Sequence, residues 1–275
     1  MTLEIYRAEE PLFNPQGPDE PLITVNRIDF SQTPLADHYS PCFAMVIDNL
    51  LTPAECAAIL ASAGSHWKTL NKGNSWRECE RIYSVSPEWA NAISERLSPY
   101  LPEEVKALKK GDALAETIAG LPNLKASQGA SKTVWRLTGA NERLSILRYR
   151  PGNHFKPHCD ALYSPSDKER SFLTCQIYLS DMLKGENPVE SPGGETRFWP
   201  SRFGLGRKKN SGEVEEENEK PVEEEAFWDV KPKIGRALIF QQRMLWHSGQ
   251  EVKHGEKFTV RLDLMYEHHF EKLSR

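Results

Sequence analysis

The chain has 275 residues, with 35 Lys and Arg against 39 Asp and Glu and a net charge of −4. There is no basic excess to favour nucleic acid, and no apolar run approaches the roughly 20 residues that span a bilayer. Five scattered cysteines (Cys42, Cys56, Cys79, Cys159, Cys175), without CxxC spacing, argue against a disulfide framework or zinc ribbon and for a reducing compartment. The charged N-terminus lacks the apolar centre of a signal peptide. The expected location is therefore cytoplasmic, with the nucleus left open. The length suits one large domain or two small ones, with a sizeable core.

Residues 1–40 are rich in Pro and polar residues, with one alternating piece at Leu22–Val25. They read as an extended arm over the surface, and residues 41–275 as a single domain. Phe43–Ile47 is a strand candidate. At Thr52-Pro53-Ala54-Glu55 a helix start is well signalled, with Thr52 as N-cap, Pro53 at N1 and Glu55 closing a capping box. A second helix is predicted from Ser86-Pro87-Glu88 to about Leu97, and a further short one within 103–121. The helical part thus covers about 50–130. After Trp135 the character changes. Segments 144–149, 171–179, 194–199, 236–240 and 258–266 are short, rich in β-branched and aromatic residues, and separated by Pro/Gly turns. Strands of this kind after a helical first part predict a barrel or jelly-roll core over about 140–268, buttressed by helices. The charge run within 205–225 reads as a solvated loop.

Three His-x-acid pairs occur: His158/Asp160, His254/Glu256 and His269/Glu271. Only the first sits in a long strand-like run, read as one strand that carries Tyr149 as well as His158 and Asp160. On a strand, residues i and i+2 share a face, so His158 and Asp160 would converge with Cys159 turned away. One imidazole and one carboxylate are two thirds of the facial triad that holds non-haem Fe(II) with positions left open. His247, between Leu245-Trp246 and Ser248-Gly249, follows a strand and is the candidate third ligand.

The HxD pair at 158–160, Gly-Gly-Glu-Thr-Arg-Phe at 193–198, Pro-Lys-Ile-Gly-Arg-Ala-Leu-Ile-Phe at 232–240, His247 and Gly-Glu-Lys-Phe-Thr-Val-Arg at 255–261 occur in order. From about Phe43 to Tyr266 this series resembles the iron(II)- and 2-oxoglutarate-dependent dioxygenases, specifically their prolyl-4-hydroxylase-like branch. The resemblance implies an α+β, mainly β fold: a double-stranded β-helix (jelly-roll) core with N-terminal helices packed on one sheet. It implies Fe(II) held by His158, Asp160 and His247, with 2-oxoglutarate as cosubstrate, O₂, and ascorbate admitted. It implies oxidation of a C–H bond, by hydroxylation, desaturation or a related outcome, coupled to decarboxylation of 2-oxoglutarate to succinate.

In the family a Lys or Arg after the second histidine receives the distal carboxylate of 2-oxoglutarate. Lys257, ten residues past His247, and Arg261, fourteen past, both fit, and with period 2 both can point inward. Tyr149 and Tyr178 resemble strand tyrosines that assist cosubstrate binding, and Thr174 shares the Tyr178 face. His154, Asn153 and Lys156 precede the metal motif, and Arg77 and Arg81 with flanking aromatics can reach a pocket for an anionic substrate. The substrate is a small metabolite or a peptide, and oligomeric state is left open. Two rivals stand beside this reading: a non-catalytic jelly-roll binding protein, and a cupin-like metal enzyme that uses no 2-oxo acid.

Overall fold

A computed structural model describes residues 21–70, 76–120, 132–182, 191–201 and 226–271. In chain order the elements are β1 (Thr24–Arg27), α1 (Ala36–Tyr39), β2 (Ala44–Asp48), α2 (Pro53–Ser62), β3 (Lys68–Leu70), β4 (Arg77–Val85) and α3 (Pro87–Leu97). There follow α4 (Glu103–Lys106), β5 (Ala107–Lys109), α5 (Ala113–Ala119), β6 (Lys132–Ala140), β7 (Arg143–Tyr149), β8 (His154–His158) and β9 (Glu169–Tyr178). The last are β10 (Thr196–Phe198), β11 (Trp228–Val230), β12 (Ala237–Gln241), β13 (His247–Gly249) and β14 (Lys257–Glu271). No helix among these residues is long and apolar enough to cross a membrane.

The strands form a mainly antiparallel jelly-roll of two facing sheets. The larger runs β1-β2-β12-β9-β14-β7-β4, and the smaller β4-β8-β13-β10-β11. β4 belongs to both: Glu80–Val85 pair with β7, while Arg77 and Glu78 pair with Phe155 and His154 of β8. One strand therefore turns the corner between the sheets.

The helices pack on the outer face of the larger sheet because its strands alternate. Cys175 and Ile177 of β9, Val260, Leu262 and Leu264 of β14, and Ile239 of β12 point outward into a core shared with Cys56 and Ile59 of α2 and Ala90, Ile93 and Leu97 of α3. Their neighbours Gln176, Lys257, Thr259 and Arg261 point the other way, into the space between the sheets. Sheets covered on both faces lose the simple apolar-in, polar-out pattern. Inside the roll, a second core gathers Phe198, Phe240, Tyr178 and Leu245, and a smaller one Cys79, Leu147, Tyr149 and Val252.

Both helix starts have the expected chemistry. Thr52 Oγ1 accepts from Glu55 N at 3.2 Å while Glu55 Oε2 accepts from Thr52 N at 2.8 Å, closing the capping box. Glu55 also pairs with Arg96 at 2.7 Å, which ties α2 to α3. Ser86 caps α3, with Pro87 in its first turn. All five cysteines are free.

Three expectations need correction. Beyond residue 20 the supposed surface arm is built in: β1 pairs with β2, and Phe30, Leu35 and Tyr39 are fully buried in the second core. Apolar side chains spaced among polar ones supply enough burial to hold the segment down. The helical part of 50–130 also contains the nine-residue β4. Finally, Tyr149 and His158 do not share a strand. The chain turns at Pro151–Gly152, with Gly152 at φ 86°, and β4 lies between β7 and β8. The charged loop of 205–225 and residues 1–20 of the arm lie outside the described residues.

Gly235, at φ 74°, turns the chain into β12 and packs flat on Leu51, where a Cβ would collide with the Leu51 carbonyl oxygen. Gly235→Ala therefore combines left-handed strain with a backbone clash. It is expected to lower the unfolding free energy by at least about 2 kcal/mol in chemical denaturation.

Candidate metal centre and cavity

His158 closes β8 and His247 opens β13, and the two are direct cross-strand partners. Opposed residues of an antiparallel pair put their side chains on one face, and the two imidazole centroids lie 4.4 Å apart. Asp160 follows just past the end of β8. Its Oδ1 is 3.7 Å from His158 Nε2 and its Oδ2 is 3.8 Å from His247 Nε2. One ligand atom from each of the three side chains lies within 4.8 Å of the others.

The ring orientations are set from behind. His158 Nδ1 meets the Lys156 carbonyl at 2.8 Å, and His247 Nδ1 meets the Leu245 carbonyl at 3.0 Å. A carbonyl can only accept, so each Nδ1 carries the proton and each Nε2 presents its lone pair to Asp160's side. Phe155 stacks on His158 with centroids 3.6 Å apart, and Phe240 meets His247 edge-on at 4.7 Å. Burial, followed by the neighbouring His247, holds the His158 imidazole down to about 3. Burial likewise lowers His247. Burial alone would raise Asp160, but the Arg261 guanidinium leads the opposing effects and the carboxyl falls to about 2.

Two neutral imidazoles and an ionised carboxylate, converging from one side, are the donor set a divalent metal requires. Asp160 is also held: Thr174 Oγ1 donates to Oδ2 at 2.6 Å, and Arg261 Nη1 lies 2.9 Å from Oδ1. A carboxylate oxygen has two lone pairs, so each keeps one for a metal. The residues fit the ion.

The triad opens on a cavity of about 260 Å³. Of the residues singled out from sequence, Tyr149, Lys257, Arg261, Arg77 and Arg81 line it with His158, Asp160 and His247. Lys257 is buried at 2 % exposure, its Nζ 2.8 Å from the Gly194 carbonyl oxygen and 4.4 Å above the Tyr149 ring. Arg261 divides itself between Asp160 and Asp263, at 2.9 and 3.1 Å.

The structure does not bring Thr174 or Tyr178 to the cavity. Thr174 stands behind Asp160, filling its carboxylate rather than facing open space. Tyr178 is sealed in the second core, with its hydroxyl 2.7 Å from Thr196 Oγ1. The face was read correctly, but Thr196 and Gln176 occupy the layer in front of it. His154, Asn153 and Lys156 stay off the lining. Reading the sequence missed Tyr39, whose hydroxyl donates to the Trp199 carbonyl at 2.6 Å and accepts from Trp246 N at 3.2 Å. It thereby anchors the backbone next to His247. It also missed Arg143, Gln176, Thr196 and Asp263; only strand parity in β7, β9, β10 and β14 carried a signal for them.

Residues 144–262 match the family model of the 2OG-Fe(II) oxygenase superfamily. The matched stretch contains His158, Asp160 and His247, so the likeness covers the part of the chain that carries the triad. Members of this superfamily use Fe(II), 2-oxoglutarate and O₂, and the His158, Asp160 and His247 donor set is in keeping with that use. No curated protein matches the chain.

Solved structures to which the chain is similar include a viral collagen prolyl hydroxylase from Paramecium Bursaria Chlorella virus-1 in its 2OG complex. It is 17% identical, with 82% of this chain and 96% of that one covered and a TM-score of 0.42. A Pseudomonas putida prolyl-4-hydroxylase is 14% identical, covering 86% of this chain and 95% of that one, with a TM-score of 0.43. A Trichoplax adhaerens prolyl hydroxylase, in complex with a hypoxia inducible factor oxygen degradation domain peptide fragment, is 15% identical. It covers 82% and 83% of the two chains, with a TM-score of 0.44.

Thr174 touches Asp160 from inside the sheet. Thr174→Val keeps the shape and removes the donor. Fe(II) or Co(II) affinity, measured anaerobically by calorimetry, is expected to fall about 10- to 100-fold. Asp160→Ala is expected to abolish binding in the same titration.

Proposed function

We propose that the protein is an Fe(II)- and 2-oxoglutarate-dependent hydroxylase that oxidises a C–H bond of an organic substrate, with 2-oxoglutarate decarboxylated to succinate. The observation that carries this reading is the neutral-His, ionised-Asp triad on a cavity whose lining also holds a buried lysine. When bound, the metal and cosubstrate supply the oxidising chemistry. The protein's share is placement and exclusion of water.

In this reading His158, Asp160 and His247 hold the metal, and residues 41–275 work as one dioxygenase domain. Of the two cations offered for the distal carboxylate, Lys257 is the better suited. Arg261 already spends its guanidinium on Asp160 and Asp263, whereas Lys257 Nζ donates one hydrogen bond, to a backbone carbonyl. An ammonium has three donors, so Lys257 keeps two for a carboxylate. Arg261 then acts as the residue that orients Asp160. Tyr149, beneath Lys257 and lining the cavity, adds a hydroxyl at the same end. The intact donor set speaks against the non-catalytic rival, and the buried lysine speaks against a site without a 2-oxo acid.

The direct test is anaerobic addition of Fe(II) and then 2-oxoglutarate, watching for the weak visible charge-transfer band of the chelate. No band in the wild type, or an unchanged band in His158→Ala, would overturn the reading.

Burial lowers the Lys257 ammonium to about 8, partly offset by Glu195 and Cys79 nearby. The charged form, which binds a carboxylate, is present below that value and lost as pH rises through it. Affinity for 2-oxoglutarate is therefore expected to fall between about pH 7 and about pH 9. Lys257→Met should bind at least about tenfold more weakly and show a flat profile over the same range. An equally steep profile in the variant would show that another group is responsible.

A further inference from the structure

The cavity holds more positive charge than the metal and cosubstrate explain. Five cationic side chains line it (Arg77, Arg81, Arg143, Lys257, Arg261) against two carboxylates, Asp160 and Asp263. Both carboxylates are taken by Arg261. A divalent ion would add two positive charges, and 2-oxoglutarate would remove two. The loaded site therefore keeps the same excess it has when empty. Like charges converging in a half-enclosed space are costly unless an anion joins them.

The excess is localised. Arg77 lies deep, its guanidinium 4.3 Å from the Phe155 ring centroid and its Nε 3.1 Å from Cys79 Sγ. Arg81 and Arg143 stand further out, on either side of Tyr83, at 3.9 and 5.0 Å from its ring centroid. Arg143 also lies 5.4 Å from the Tyr163 ring centroid. Arg81 and Tyr83 are two apart on β4. Arg143, opposite Val85, and Ser145, opposite Tyr83, stand on the neighbouring β7. Sheet geometry therefore presents these side chains side by side. Neither Arg81 nor Arg143 has an ion-pair partner among the described residues, whereas Arg148 on β7 is paired with Glu80. Arginines held by aromatic faces keep their donor edges free for a carboxylate or phosphate.

We propose that this outer half of the cavity is the substrate's anion subsite. Arg81 and Arg143 grip a carboxylate or phosphate of a small organic acid while its reacting carbon faces the triad. The inference rests on the dioxygenase reading of that triad. A cavity of about 260 Å³ lies just below the range of small-ligand sites, roughly 300–1,000 Å³, which favours a small molecule over a folded polypeptide.

The test uses the full chain loaded with Mn(II) under nitrogen and saturated with 2-oxoglutarate. Inorganic phosphate and acetate are titrated separately by calorimetry, at constant ionic strength set with chloride. At least one is expected to bind the wild type, and which one does assigns the group as phosphate or carboxylate. Arg81→Gln/Arg143→Gln should weaken that binding at least about tenfold while 2-oxoglutarate affinity changes less than about threefold. The single variant Arg143→Gln, at an exposed position, keeps the test valid if the double variant misfolds. Equal anion affinity in wild type and variants, or no anion binding at all, overturns the proposal. If 2-oxoglutarate itself fails to bind the wild type, the dioxygenase reading falls and this subsite falls with it. A second arm incubates the Fe(II) enzyme with metabolite fractions sorted by charge. A gain of one oxygen is expected in the anionic fraction. A product found only among neutral or cationic molecules, or only on a polypeptide, contradicts it.

Discussion

Everything in the site depends on the register of β8 against β13. His158 lies opposite His247, and a slip of one residue would turn one imidazole to the far side of the sheet. Several contacts outside the site hold that register. β13 is also paired on its other side, with Phe198 opposite His247 and Arg197 opposite Ser248. Trp199 Nε1 donates to Ser248 Oγ at 2.7 Å, from the face away from the triad. Tyr39 pins Trp246 from a segment more than 200 residues distant in sequence. A bulge between His247 and Gly249 then lets the strand leave the pairing at once. Two ligands thus come from backbone pairing, and only Asp160, past the strand end, needs its own supports in Thr174 and Arg261.

Those supports explain why so charged an interior is tolerated. Asp160 is nearly inaccessible, and a buried carboxylate is costly unless paired and hydrogen-bonded. Arg261 and Thr174 satisfy it before any metal arrives, so the donor set is assembled in advance. Arg261 in turn shares Asp263, which also accepts from Gln242 Nε2 at 2.9 Å, and Gln242 accepts from Ser171 at 2.8 Å. The network continues along β9 and β14 until it meets the apolar core. Lys257 has no such chain. Its buried ammonium has a single carbonyl partner on the wall of the same cavity, and its lowered pKa is the signature of an incomplete environment.

The sequence was legible where one physical rule acts alone. Capping chemistry located the starts of α2 and α3 to within a residue, and runs of β-branched and aromatic residues located β7, β9, β12 and β14. The His158, Asp160 and His247 grouping was legible from a His-x-Asp pair in a strand-like run and a histidine just after a strand. The sequence was silent where the tertiary environment reverses the pattern. Arg77-Glu78-Cys79-Glu80-Arg81-Ile82-Tyr83 offers two arginines for a pocket but no strand signal, because one face of β4 lines a polar cavity and the other carries an ion pair to β7. Alternation there is polar on polar, with Cys79 and Ile82 as the buried exceptions. The segment before Phe43 hid its role differently: Leu35 and Tyr39 keep helical spacing over the single turn of α1 only, Phe30 lies outside it, and one turn is too short a pattern to read as a buried element. Thr174 and Tyr178 show a third limit. Parity tells which face a side chain takes but not how many layers stand in front of it.

β4, the strand that sequence patterning passed over, connects the two halves of the site. Its first residues pair with β8 and the rest with β7. Arg77 rests on Phe155, which rests on His158. Four residues further, Arg81 faces the same cavity beside Tyr83. At roughly 3.3 Å per residue, this backbone sets the two arginines about 13 Å apart along the strand. The strand therefore serves as a ruler between the metal side and the rim. A bulge or a register shift in β4 would change the reach from rim to triad without touching a ligand. Because β4 also turns the corner between the sheets, that distance is coupled to the closure of the jelly-roll itself. It is set by the fold rather than by a mobile loop, so substrates should be sorted by length as well as by charge.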